Sequence, residues 1–416
     1  MLQINRTKIL YTLIMQKILL TLVIFITLSF PATAQKSEFV SVTPSIRYQY
    51  IGTYDEARLT KIQNSEIPEE LGPGLSFTAP KNAVKLYRVE YMSVIPEQDN
   101  RPTLASGLIA IPATGAKRMP MFSYQHGTVF GKDWAPSFPE KSFETRLAIA
   151  QFAGQGYIVI GADYFGLGTS IEKDSYIVLN SQVQASLDMY EAAKLILTRE
   201  GIYTTDLFIG GWSQGGVVTM AFLERLENNG IPVKAAATAA AQCDGYVMTH
   251  GFLQNPRKID APWVTTMFIL TAFSFEEYYR MPGLARGLFT DEQYATAHRV
   301  YMKDSTLAYK DYPLDLHKLI RPEYFNATYY TQSQYGKLMS TMHPYRWLIK
   351  TPLKMFYGDV DQSLTIGLAR LPYEFQKALG NTKVEAISLG ADANHRLTYG
   401  RAVPKWKNWF DGMVSK

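Results

Sequence analysis

Cysteine is nearly absent. Cys243 is the single one in 416 residues, so no disulfide can close within the chain and no multi-cysteine zinc site can form. An excess of one charge is missing as well. Against 42 Lys+Arg stand 37 Asp+Glu, a net +5 without any basic run, which excludes a nucleic-acid partner. Charged residues are only 19% and apolar residues 47%, so a large core is available and whole-chain disorder is excluded. There is no internal repeat and no low-complexity tract. No metal cluster, phosphate loop or dinucleotide fingerprint stands out, so neither metal nor cofactor is expected. Gly166-Leu167-Gly168 reads as a turn.

Long hydrophobic runs are missing too, with one exception. Residues 18–30 form thirteen uncharged, mostly apolar positions, short of the roughly 20 that a membrane span needs. Lys17 precedes this run and Ala32-Thr33-Ala34 follows it, which is the order of a secretory signal over residues 1–34. Residues 1–14 make that signal long, and Met15 offers a second start. No Cys follows Ala34, so a lipoprotein anchor is not expected. Cleavage would remove Arg6, Lys8 and Lys17 and leave a net +2. A near-neutral exported protein without disulfides and without a remaining span suits a bacterial periplasm or exterior.

Residues 35–82 are mixed and turn-rich, with Gly72-Pro73-Gly74, and read as an N-terminal extension. Strand-like runs follow at Val84–Met92, Leu104–Ile111, Met121–Tyr124 and Tyr157–Ile160. A helix is expected from Ser181 to Glu200, capped by Asn180 or Ser181 and ended by Gly201. Leu207–Ile209 is a strand leading into a helix from Gln214 to about Asn228. Val233–Ala241, Leu353–Tyr357 and Val384–Leu389 are further strands. This rhythm predicts an α/β architecture, a mostly parallel sheet with helices on both faces. About a hundred residues, 245–345, interrupt it and read as a mainly helical insertion.

Gly211-Trp212-Ser213-Gln214-Gly215 is the sharpest chemical signal, a G-x-S-x-G motif between a strand and a helix. A strand that turns at once into a helix strains the serine backbone and lifts its hydroxyl above the sheet. Ser213 is therefore the expected nucleophile. Its base should be His395, the one histidine beyond the last strand, in the loop Gly390–His395. The orienting acid is expected at Asp361, by its spacing from Gly358. Asp359 and Asp244 are the alternatives. The oxyanion needs two N–H donors. One is expected from Gln214. The other should come from the loop His126-Gly127-Thr128, from Thr128 or alternatively from Gly127. His126 is then structural. Cys243, at a strand end, reads as a buried apolar residue.

These segments resemble the α/β-hydrolase superfamily: the His-Gly-Thr loop, Asp163–Gly168, the Gly-Trp-Ser-Gln-Gly-Gly elbow, Gly358–Asp361 and His395. The resemblance spans residues 83–244 and 346–416 as the hydrolase core, with 245–345 as a cap. Within the superfamily the chain looks most like secreted, capped esterases and secretory lipases. It implies a serine carboxylic-ester hydrolase that works through an acyl-enzyme without a cofactor. The cap holds 12 of the 27 Tyr and 6 of the 21 Phe, so an aromatic, water-poor pocket for an apolar or aromatic ester is expected. Phe130 and Trp212 flank the catalytic loops and are the pocket residues named from sequence. The partner is then a small-molecule, lipid or polymer ester. Two rivals remain. One is a serine peptidase, with Glu276-Glu277 gripping a substrate amine; the Gly215-Gly216 pair also occurs in prolyl-oligopeptidase-type enzymes. The other is a non-catalytic binding module on the same fold.

Overall fold

The computed structural model describes residues 38–415, and the segment read as a secretory signal lies outside them. Its centre is one ten-stranded sheet in the order β1-β2-β3-β4-β6-β5-β7-β8-β9-β10. The first four strands are β1 (Val40–Thr43), β2 (Ile46–Tyr54), β3 (Val84–Ile95) and β4 (Arg101–Pro112), paired antiparallel in sequence. Then come β5 (Arg118–Gln125), β6 (Ile158–Ala162), β7 (Tyr203–Trp212), β8 (Ala235–Ala239), β9 (Leu353–Tyr357) and β10 (Val384–Ser388). From β6 to β10 every pair is parallel. Helices cover both faces, and the chain has the α/β-hydrolase fold.

The central parallel strands β6 and β8 are short and mostly apolar because they are buried on both faces. All five residues of β8 are buried. The helices around them are α3 (Phe143–Gln151), α4 (Leu179–Arg199), α5 (Gln214–Asn228), α13 (Ile366–Ala378) and α14 (His395–Asp411). Phe410 near the end of α14 stacks on Phe208 of β7, ring centres 4.6 Å apart. Asn394 caps the other end by accepting the Leu397 N–H at 2.9 Å. His395 is thus the first residue of an anchored helix, where the sequence suggested a loop.

Three more readings shift. Residues 35–82 are not only turns. β1 and β2 extend the sheet beyond β3, and two short helices follow, α1 (Glu56–Lys61) and α2 (Ile67–Leu71). α4 begins at Leu179 with no side-chain cap. Ser181, expected as a cap, instead donates its hydroxyl to Glu97 at 2.5 Å. Gly201 does follow the helix with φ +67°, a left-handed conformation that suits glycine. The strand expected over Val233–Ala241 is the shorter β8.

Between β8 and β9 lie seven α-helices, from α6 (Gly245–Gln254) through α7 (Val264–Tyr278) and α9 (Asp291–Tyr301) to α12 (Gln334–Met339). Asp244 stands at both ends of this segment. One carboxylate oxygen caps α6 at the Val247 N–H, 3.0 Å away. The other accepts from the Tyr345 hydroxyl at 2.9 Å and from Arg346 at 3.2 Å. Among the described residues no helix is long and apolar enough to cross a membrane.

Candidate active site

Ser213 sits where β7 ends and α5 begins, with φ 57° and ψ −123°. Two glycines make this turn possible. A Cβ on Gly215 would strike the Gln125 carbonyl, and one on Gly211 would strike both Gly215 and Gln125. The strained serine and the close backbone are the steric features that the motif implied.

Three side chains from distant parts of the chain meet here. His395 Nε2 lies 2.9 Å from Ser213 Oγ. His395 Nδ1 lies 2.8 Å from Asp361 Oδ2. All three are buried. Of the alternative acids, Asp359 accepts a hydrogen bond from Ser388 at 2.7 Å. Asp244 is engaged at the ends of the inserted segment, as described above. Neither is hydrogen-bonded to His395.

The loop that carries Asp361 is held from several sides. Ser363 donates both its N–H, at 2.8 Å, and its hydroxyl, at 3.0 Å, to Asp361 Oδ1. Gln242 donates to Ser363 Oγ at 2.9 Å. Arg257 of the inserted segment donates to the Asp361 carbonyl at 3.0 Å. His395 is steadied too: its carbonyl accepts from the Trp212 indole at 3.1 Å, and its N–H donates to Gln362 at 3.2 Å.

Gln214 opens α5, so its N–H has no carbonyl to bond within the helix. The helix dipole adds positive potential at that point. The His126 ring is fully buried between two carbonyl oxygens, with Nδ1 2.7 Å from Gly127 O and Nε2 3.1 Å from Asp163 O. Burial pushes its pKa down. Gly127, the alternative oxyanion donor, has its N–H committed to Glu144 Oε2 at 2.9 Å. Among the described residues no hydrogen bond uses the Thr128 N–H.

Glu144 was not singled out from sequence. It is buried on α3, accepts from the Tyr124 hydroxyl as well as from Gly127, and burial raises its pKa to about 7. The signal that could have found it is a single acid one turn before the apolar stretch Leu147-Ala148-Ile149-Ala150. Ser363 and Gln242 were missed as well, since no motif marks them.

Ser213 and His395 open into a cavity of about 690 Å³. Phe130 and Trp212, the rings named from sequence, are among the residues that line it. So are Trp134, Phe143 and Tyr176 of the body. Of the many rings in the inserted segment, only Trp263 and Tyr309 reach this cavity. The Trp263 ring centre is 5.5 Å from that of His395. Others, such as Tyr278, Tyr330 and Tyr335, are buried in packing. The aromatic surplus of this segment is therefore mostly core. Glu276 accepts the Ala285 N–H at 2.8 Å, and neither Glu276 nor Glu277 lines the cavity. Cys243 is free and buried, and burial pushes its thiol pKa up. Among the described residues no three His, Cys, Asp or Glu side chains converge as metal ligands.

No protein-family model and no curated protein matches the chain. Solved structures do match in fold. A candidate hydrolase of Legionella pneumophila aligns with TM-score 0.77 at 21% identity, over 90% of this chain and 98% of that one. The rice cell wall degrading esterase LipA of Xanthomonas oryzae aligns with TM-score 0.76 at 16% identity, over the same shares. Candida antarctica lipase A in its closed state aligns with TM-score 0.63 at 15% identity, over 91% of this chain and 84% of that one.

Proposed function

We propose that this chain is an exported serine hydrolase of carboxylic esters. The observation that carries the reading is the continuous path from Asp361 through His395 to Ser213, with steps of 2.8 and 2.9 Å, opening into the aromatic cavity. Ser213 attacks the ester carbonyl while His395 takes its proton. Asp361 orients the imidazole and offsets the charge it gains. The N–H groups of Gln214 and Thr128 receive the oxyanion. His395 then protonates the leaving alcohol, and an acyl-enzyme forms on Ser213. Water, deprotonated by His395, releases the acid and restores the serine.

The rings of Phe130, Phe143, Trp212 and Trp263 favour an apolar or aromatic group on the ester. Residues 245–345 serve as the cap that roofs the site, and residues 1–34 as the export signal. The esterase and lipase among the similar folds, although distant, act on esters by name, which agrees with this reading. The peptidase alternative loses one of its supports, because Glu276 accepts a backbone N–H inside the cap.

Ser213→Ala tests the proposal. Hydrolysis of p-nitrophenyl butyrate should fall by more than about 10³-fold, and labelling by a fluorophosphonate probe should vanish. Turnover retained in this variant would sink the reading.

A further inference from the structure

The tripeptide Gly127-Thr128-Val129 is gripped from outside at both ends. On one side the Gly127 N–H donates to Glu144 Oε2 at 2.9 Å. On the other, Lys303 Nζ donates to the Val129 carbonyl at 2.8 Å. Between them, the Gly127 carbonyl faces His126 Nδ1 at 2.7 Å. That carbonyl belongs to the same peptide unit as the Thr128 N–H. A partner on the carbonyl polarises the peptide and strengthens its N–H as a donor. The peptide groups on either side of Thr128 are thus held at the Gly127 N–H, the Gly127 carbonyl and the Val129 carbonyl, while among the described residues no hydrogen bond uses the Thr128 N–H, the Thr128 carbonyl or the Val129 N–H. Thr128 lines the cavity beside Ser213.

Lys303 is held at some cost. Its backbone has φ +54°, a conformation that side chains other than glycine adopt rarely. Its side chain is 6% exposed, and Nζ lies 2.7 Å from Asp174 Oδ2, whose side chain is 5% exposed. Burying such a pair gains little stability over apolar residues of similar size. The Asp174 carbonyl in turn accepts from Ser274 at 2.7 Å and Tyr301 at 3.1 Å, both from the inserted segment. The ammonium is therefore carried by the inserted segment and applied to a loop of the body. Strain and desolvation together make sense if its task is at the Val129 carbonyl.

We propose that Lys303 and Glu144 are positioning residues that together aim the Thr128 N–H at the oxyanion, so that the oxyanion hole is complete only with the inserted segment seated on the body. This rests on the serine-hydrolase reading, with Thr128 as a donor. Lys303 lies outside the cavity, whereas Glu144 reaches its lining while bonded to the Gly127 N–H. Each acts on the carbonyl chemistry, not on acyl binding.

The test compares five variants with the parent on p-nitrophenyl butyrate and on inhibition by an aryl trifluoromethyl ketone, which forms the oxyanion without turning over. Lys303→Met and Glu144→Leu should each lower kcat tenfold or more, leave KM within threefold, and weaken the ketone in proportion. Glu144→Gln keeps an oxygen acceptor for the Gly127 N–H and should stay within about threefold. Asp174→Asn breaks the ion pair but leaves the ammonium on Val129, so it should also stay within threefold. A purely structural ion pair would make Asp174→Asn as damaging as Lys303→Met, which would overturn the proposal. So would a folded Lys303→Met with kcat within twofold of the parent. If Lys303→Met does not fold, the contrast between Glu144→Leu and Glu144→Gln decides, and equal kcat values in that pair overturn the proposal. Ser213→Ala separates the two claims. Activity retained there defeats the serine reading, whereas a dead Ser213→Ala beside a fully active Lys303→Met defeats the positioning claim alone.

Discussion

The Ser363 hydroxyl stands 3.1 Å from His395 Nδ1, alongside the Asp361 carboxylate that it also contacts. Asp361 is therefore fixed through a neighbour two residues away in sequence. Ser363→Ala removes one hydrogen bond to the carboxylate and leaves the backbone N–H bond in place. A hydrogen bond to a charged group contributes about 1.5 kcal/mol or more, close to tenfold in rate. We expect kcat/KM on a p-nitrophenyl ester to fall about tenfold, with KM nearly unchanged. A variant as active as the parent would show that Asp361 needs no help from Ser363.

The two aspartates of the Gly358–Asp361 turn should behave oppositely. Asp361→Asn leaves the shape but presents an amide to His395 Nδ1, which favours the wrong tautomer. A loss of about 10³- to 10⁴-fold in kcat is expected. Asp359 is tied to Ser388 and not to His395, so Asp359→Asn should change kcat less than threefold. Steady-state kinetics on the two variants decide between them, and the reverse order would move the acid to Asp359.

Glu144 should leave a mark on stability against pH. Burial raises its folded pKa from 4.5 to about 7. Between those values the folded protein holds a proton that the unfolded chain has released. Stability contributed by this group is therefore greatest near pH 4.5, falls as pH rises to about 7, and is flat above. The carboxylate is buried, so the change is on the order of 3 kcal/mol. Glu144→Gln does not titrate. In urea unfolding, the parent should lose stability relative to this variant on going from pH 5 to pH 8. An equal gap at both values would place the Glu144 pKa in the ordinary range.

The parts of the site that were legible in sequence are those made by local geometry. Gly211–Gly215 must pack a strand, a strained turn and a helix into a few residues, and only certain residues fit. Asp361 and His395 followed from strand order, because parallel strands deliver their following loops to one edge of the sheet. Glu144 and Lys303 were illegible because each holds a backbone group, the Gly127 N–H and the Val129 carbonyl, and a backbone group leaves no trace in sequence. β2 was missed for a similar reason. Its Tyr48 and Tyr54 are buried, but its place is set by pairing with β3 some forty residues later. The aromatic segment misled for a different reason. Composition counts rings but does not say whether a ring faces a cavity or another ring, and most here face each other.

Asp244 binding both ends of the segment from α6 to Tyr345 has an evolutionary corollary. β8 and β9, which flank the segment, are adjacent and parallel in the sheet, so a single crossover helix would be enough to connect them. The long excursion leaves and returns at one carboxylate. Closing so long a loop costs only slightly more entropy than closing one of half the length. The length of the segment is therefore only weakly constrained by the entropy of closing it. Under the proposed reading, selection can then remodel the roof of the pocket, provided that each new roof again delivers one cation to the Val129 carbonyl and another to the Asp361 carbonyl.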